Sequence, residues 1–170
     1  MSGNPPMPLR IAILTVSDRS FAGVREDLSG PALLALVEAH GWQVAASEIV
    51  PDEMDEIAHR LIAWADGGQV DVVLTTGGTG FAPRDVTPEA TLAVLERRAP
   101  GIVEAVRAAS LQITPHAMLS RAEAGIRRQT LIINLPGSPK AVRENFQILQ
   151  PVLSHAVALL RGDQDAEAGH

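Results

Sequence analysis

The chain has no cysteine, no tyrosine and only one lysine, Lys140, in 170 residues. Without cysteine there can be no disulfide, no thiolate metal site and no cysteine nucleophile. Aromatic residues make up 3% of the chain, too few for the stacking platform on which single-stranded nucleic acid is bound. A net charge of −6 argues against non-specific nucleic-acid binding, which relies on a basic surface. No apolar run approaches the length of a membrane span, and the Pro-rich start, Met1 to Arg10, lacks the apolar core of a signal peptide. The expectation is a cytoplasmic protein with no nucleic-acid and no membrane partner. His40, His59, His116, His155 and His170 show no metal-ligand spacing, and none is assigned a role.

What is present suits one globular domain. Hydrophobic residues make up 46% and charged residues 20%, and the length allows a substantial core. The expected organisation is a flexible N-terminus over residues 1–9, a single domain over 10–161 and a flexible tail over 162–170. Apolar runs suited to strands (Ile11 to Val16, Val44 to Val50, Val70 to Leu74, Thr130 to Leu135) alternate with helical patterns. The helices are expected at Pro31 to His40, from Asp52 to about Ala65, at Pro88 to Arg97, at Ile102 to Leu111, and at Pro139 to Leu160 with a break or kink at Pro151. Residues 114–129 read as either a short hairpin or an irregular excursion. This alternation predicts an α/β fold, a three-layer sandwich with a mostly parallel central sheet flanked by helices.

Chemistry concentrates between the third strand and its helix, in Thr75-Thr76-Gly77-Gly78-Thr79-Gly80-Phe81-Ala82-Pro83-Arg84-Asp85-Val86-Thr87-Pro88. Thr87 is the expected N-cap, with Pro88 at the first helical position. Glycines allow backbone N–H groups to approach a ligand, and such a turn makes an anion-binding concavity. Asp85 would repel a bare phosphate, so a cation between them, most simply Mg²⁺, is implied. The Walker loop is excluded because no lysine is present here, and the Rossmann fingerprint does not fit either. Spacing alone leaves phosphate binding and tight packing equally open.

Ligands of such sheets bind outside the carboxyl ends of the strands. Four loops are expected there: Ser17 to Ser29, Pro51-Asp52, Gly77 to Asp85 and Pro136 to Lys140. Each candidate also has a structural reading. Asp52 can be a helix N-cap, and Asp85 can pair with Arg84. Asp18-Arg19 can be a surface ion pair, and Thr79 can cap its own loop. Ser138 with Pro139 reads as a capped helix start, which attracts anions. Lys140 opposes the helix dipole there, which points either to a nearby anionic ligand or to solvent.

The segment TTGGTGFAPRDVTPEAT resembles the signature of the MogA/MoaB-like family of molybdenum cofactor biosynthesis, which includes the G domains of gephyrin type. The resemblance extends to Leu14 to Arg19, Val50 to Glu53, Ser110 to Arg121, Gly125 to Arg127 and Leu131 to Lys140, and so covers about residues 10–161. It implies Mg-ATP-dependent adenylylation of molybdopterin, giving adenylyl-molybdopterin and pyrophosphate. The alternative within the family is a non-catalytic molybdopterin-binding or scaffold protein. Carried over by the same resemblance, Asp52 and Asp85 are the catalytic and Mg²⁺-binding residues. Ser17, Asp18, Gly77, Gly78, Thr79, Gly80, Ser110, Ser120, Pro136, Gly137, Ser138 and Lys140 would line the nucleotide and pterin pockets. The resemblance further implies a homotrimer and hand-over of product to a separate molybdenum-insertion protein.

Overall fold

A computed structural model describes residues 7–168. Six strands form one sheet in the order β2-β1-β3-β6-β5-β4. They are β1 (Arg10–Val16), β2 (Gln43–Val50), β3 (Val72–Thr76), β4 (Arg97–Arg98), β5 (Ala124–Arg127) and β6 (Thr130–Leu135). The first four in spatial order run parallel, whereas β5 pairs antiparallel with both β6 and β4. The helices are α1 (Asp18–Phe21), α2 (Ser29–Ala39), α3 (Met54–Asp66), α4 (Thr87–Val94), α5 (Pro100–Leu111), α6 (Pro139–Leu160) and α7 (Gln164–Glu167). Among the described residues, no helix is long and apolar enough to cross a membrane.

Two apolar layers, one on each face of the sheet, make the three-layer sandwich that the alternation of elements predicts. Ile11, Ile13, Leu74 and Ile133 face α2, α5 and α6, meeting Leu33, Val103 and Phe146. Ala12, Leu14, Val73 and Ile132 face α3 and α4, meeting Ile57, Leu61 and Ala90. β1 and β3 are therefore covered on both sides, which explains their near-continuous apolar runs.

Several elements depart from the sequence reading. β3 runs from Val72 to Thr76 rather than from Val70 to Leu74. At its start, the Asp71 side chain is taken by Arg10 and Arg161. At its end, Thr75 and Thr76 are fully buried, and their hydroxyls are satisfied by Asn134 and the Pro136 carbonyl. The helix expected to reach Arg97 stops at Val94; Leu95 is extended and Arg97–Arg98 pairs with β5 as an edge strand. Residues 114–129 hold a 3₁₀ turn (Pro115–Leu119) and then β5, which enters a hairpin with β6. α6 is continuous through Pro151. That proline faces solvent, and the buried stripe Phe146, Leu149, Leu153, Val157 carries the helix past it.

Leu9, assigned to the N-terminal arm on sequence grounds, is 3% exposed and packs in the core. In the segment read as a tail, Asp163 caps α7 by accepting from the Asp165 N–H at 3.0 Å. The rest of these two segments, residues 1–6 and 169–170, lies outside the described residues.

Candidate functional site

The four loops at the carboxyl ends of β1, β2, β3 and β6 converge. A polar pocket of about 290 Å³ lies between them, and Ser17, Asp52, Gly77, Gly78, Asp85, Gly137 and Ser138 contribute to it. A second, mainly apolar crevice of about 290 Å³ opens beside α5 and α6. It receives Thr79, Gly80, Ser110, Ser120 and Pro136. The glycine-rich loop and the Pro136-Gly137 turn form the ridge between the two. Asp18 and Lys140 line neither pocket.

The loop is built to offer donors. Gly77 and Gly78 have φ of +98° and +68°, the left-handed region where side chains are strained. A Cβ on Gly77 would strike the Val16 carbonyl, and one on Gly78 would strike the Thr87 hydroxyl. Thr87 is not the N-cap the sequence suggests; Val86 holds that position and makes no side-chain cap. The Thr87 hydroxyl instead donates to the Gly77 carbonyl at 3.0 Å, and its N–H donates to the Gly78 carbonyl at 3.1 Å. Arg121 takes the next two carbonyls, its N–H bonding Thr79 at 2.9 Å and its Nε bonding Gly80 at 2.7 Å. All four carbonyls from 77 to 80 are thus tied back. The N–H groups of Gly78, Thr79 and Gly80 donate to no protein group among the described residues, an arrangement suited to an anion.

Asp52 is likewise not a helix cap; Glu53 occupies that position. The Asp52 side chain turns to β1's loop, where its Oδ2 accepts from the Asp18 N–H at 2.8 Å. Asp18 returns the bond, its Oδ1 accepting from the Asp52 N–H at 2.9 Å. Arg84 then grips Asp18 bidentately at 2.8 and 3.0 Å and reaches Glu53 at 2.7 Å. The pairings of Asp18 with Arg19 and of Asp85 with Arg84, the structural alternatives for these residues, are not formed; one network joins three loops instead. Asp85 Oδ2 accepts from the Ala82 N–H at 3.1 Å. Oδ1 of Asp52 and Oδ1 of Asp85 accept from no protein donor among the described residues.

Charge in the polar pocket is under-compensated at Asp52. Burial pushes its carboxyl above the usual carboxylate range, and the negative charges of Asp18 and Asp85 push it further. The Asp18 N–H and Arg84 offset this only in part. Asp18 moves the other way, held low chiefly by its bonds from Arg84. A crowded, partly desolvated carboxylate beside a second one fits a hard divalent cation, whose charge relieves the repulsion. No group of three or more His, Cys, Asp or Glu is gathered for a metal among the described residues. The two aspartates would therefore share a cation with water and substrate oxygens, the usual habit of Mg²⁺.

Ser17 caps α1, accepting from the Ser20 N–H at 3.1 Å, and Ser138 caps α6, accepting from the Ala141 N–H at 3.1 Å. Lys140 is 81% exposed and sits 3.8 Å from Glu144, the ordinary i,i+4 pair of a solvated helix face. In the crevice, the Ser110 hydroxyl donates to Asn145 Oδ1 at 3.1 Å. Ser120 Oγ accepts a long bond, 3.4 Å, from the Ala122 N–H.

Sequence reasoning missed Asp27, Arg107, His116 and Asn145. Asp27 lines the polar pocket and gathers the Thr15 hydroxyl at 2.7 Å, the Gly30 N–H at 3.0 Å and the Ser29 hydroxyl at 3.3 Å. Its place just ahead of a helix start is a recognisable signal. Asn145 is a buried amide within α6's apolar stripe, and a polar residue at such a spacing flags a specific partner. Arg107 and His116 line the crevice but had no distinguishing pattern.

A family model described as a probable molybdopterin binding domain matches residues 12–155. The chain is 46% identical over 160 residues to gephyrin of Dictyostelium discoideum, covering 88% of this chain but only 22% of that longer protein. It is 45% identical over 157 residues to molybdopterin adenylyltransferase of Helicobacter pylori strain J99, covering 91% of this chain and 89% of that one. Among solved structures, the molybdopterin biosynthesis enzyme MoaB of Thermus thermophilus superposes with a TM-score of 0.86 at 49% identity, covering 91% of this chain and 98% of that one.

Proposed function

The chain belongs to the family of molybdopterin-binding domains, and from that membership we propose that it is a molybdopterin adenylyltransferase acting in molybdenum cofactor biosynthesis. The carrying observation is the glycine-rich loop, with its carbonyls tied back and the N–H groups of residues 78–80 donating to no protein group among the described residues, beside a pocket that also holds Asp52 and Asp85. The polar pocket suits the phosphates, and the apolar crevice suits a flat heterocycle such as the pterin. The ridge between them brings the two reacting groups together.

The reaction needs neither a covalent nucleophile nor a general base. An ionised phosphate oxygen of molybdopterin attacks the α-phosphorus of ATP. A new P–O bond forms, and the bond to the bridging oxygen breaks to release pyrophosphate. Alignment and charge neutralisation dominate such transfers. The free N–H groups of residues 78–80 and the start of α6 at Ser138 hold phosphate oxygens. Thr87 ties the loop to the start of α4, and Arg84 keeps the Asp18–Asp52 clasp closed. Mg²⁺ bound by Asp52 and Asp85 would neutralise charge on the triphosphate.

The domain of residues 10–161 assembles as a homotrimer in this reading, works in the cytoplasm and passes its product to a separate molybdenum-insertion protein. The test incubates the protein with molybdopterin and ATP, with and without Mg²⁺, and follows pyrophosphate release and the mass of the pterin product. Adenylylated pterin that depends on both ligands and metal is expected. Tight pterin binding without product, beside an active relative as control, would make the protein a binder or scaffold instead.

A further inference from the structure

The glycine-rich loop is held unevenly. Its first two residues are fixed to the scaffold by Leu135 and Thr87. From Thr79 to Asp85, the hydrogen bonds that leave the loop among the described residues are all made by two arginines, Arg84 within it and Arg121 outside it. Arg84 points outward to Asp18 and Glu53. Arg121 comes from the opposite side. Its N–H bonds Thr79, its Nε bonds the Gly80 carbonyl at 2.7 Å, and its Nη2 bonds the Asp85 carbonyl at 2.7 Å. Its remaining nitrogen pairs with Glu89 in the first turn of α4.

One planar fork thus spans the loop from Gly80 to Asp85, a task that fixed guanidinium geometry performs and a single ammonium cannot. Arg121 is itself held. On either side of it, the carbonyls of Ser120 and Ala122 accept from Arg107 of α5 at 3.2 and 3.3 Å. Ser120 and Ala122 line the apolar crevice, and Asp85 lines the polar pocket. Two guanidinium forks in series therefore join the crevice wall to the carboxylate loop.

We infer that Arg121 is the positioning residue of this loop: it sets where the Asp85 carboxylate and the free N–H groups lie, and it ties their geometry to the wall of the crevice. The inference rests on the reading of the polar pocket as the triphosphate site. Arg121 is in the lining of neither pocket and acts through the loop.

The test compares the wild-type chain with Arg121→Lys and Arg121→Ala, by hydrogen exchange of the loop amides and by steady-state adenylyl transfer. In Arg121→Ala, exchange of the Ala82 and Asp85 amides, which are hydrogen-bonded within the loop, is expected to accelerate by about tenfold or more while β1 and β3 are unchanged. The kcat should fall by roughly 10–100-fold, the range for residues that orient a ligand set, with the KM for molybdopterin within about twofold. Arg121→Lys should fall between, since it keeps the charge but loses the fork, whereas Arg121→Ala loses both and keeps only the backbone bond to Thr79. Unchanged loop exchange in Arg121→Ala overturns the inference, as does full activity in Arg121→Lys. If Arg121→Ala does not fold, Arg121→Lys decides by the same two readouts. A wild-type chain that makes no product refutes the adenylyltransferase reading alone; loop exchange and Mg-ATP affinity in the variants then still decide the role of Arg121.

Discussion

Asp52 and Asp71 stand at opposite ends of the same sheet, one partly and one fully withdrawn from water, and their surroundings push them in opposite directions. Asp71, 3% exposed, lies at the amino end of β3. Arg10 binds it through backbone and side chain at 2.8 to 3.2 Å, and Arg161 binds it at 2.7 Å. Burial alone would raise its carboxyl, but the bonds from both arginines outweigh it and hold the carboxyl low. Asp52, at the carboxyl end, has one backbone donor and two neighbouring carboxylates, and its carboxyl sits high. One end of the sheet satisfies its charge within the fold; the other leaves charge for a ligand to satisfy. Such unspent charge in a pocket marks a functional site, whereas a saturated carboxylate marks a structural tie.

The widest break in this comparison is expected from Asp52→Asn. Adenylyl transfer should fall by roughly two to three orders of magnitude, with molybdopterin binding largely kept and the unfolding midpoint unchanged or raised. Equal loss of pterin binding would remove Asp52 from its proposed role. Asp71→Asn should do the reverse. It strands two partly buried arginines and should cost about 3 kcal/mol in denaturant unfolding, while the folded protein keeps its turnover number.

pH sharpens the contrast, because the two shifts have opposite sign. The low folded value of Asp71 contributes stability above about pH 4, lost as pH falls through that folded value. The raised value of Asp52 makes its ionisation cost stability as pH climbs from the ordinary carboxylate range through the raised value. Urea midpoints measured from pH 3 to 7 should therefore show a flattened acid limb in Asp71→Asn. Asp52→Asn should match the wild type at the acid end and gain on it toward neutrality. Parallel curves for all three proteins would contradict both assignments.

A smaller loss, about 1 kcal/mol, is expected from Arg161→Ala, because Arg10 still holds Asp71. The smallest belongs to Lys140→Ala: less than about 0.5 kcal/mol in stability and less than about twofold in ATP affinity. A tenfold loss of ATP affinity would return Lys140 to the site.

The sheet, its two apolar layers and the four converging loops were legible because periodicity, glycines and prolines act locally. Ser138 as a cap was legible for the same reason. That same local logic left a cap open as the structural alternative for Asp52 and misread Thr87 as a cap. Their partners, Asp18 and Gly77, lie 34 and 10 residues away, beyond what a capping rule can see. β3 ran past its apolar run because Asn134, from another strand, satisfied Thr75. The edge strand β4 exists only through its pairing with β5. Lys140 drew notice as the lone lysine, yet it pairs one turn along its own helix. Asp85 entered from the glycine loop itself and Asp52 by family resemblance; what the fold adds is that each keeps one oxygen that accepts from no protein donor among the described residues.

The parallel pairing described above also bears on how the protein is made. The polar pocket is bounded by turns that follow β1, β2, β3 and β6, and bonds such as Thr76 to Pro136 close across 60 residues of chain. No partly folded intermediate lacking the β3–β6 pair can present the pocket. Non-local pairing of this kind forms slowly, so binding competence should appear only once the β3–β6 pair has formed. A ligand of this pocket then discriminates the finished chain from every precursor and shifts the folding equilibrium by its full saturation. In a cell short of substrate, the unliganded enzyme would turn over faster than the loaded one.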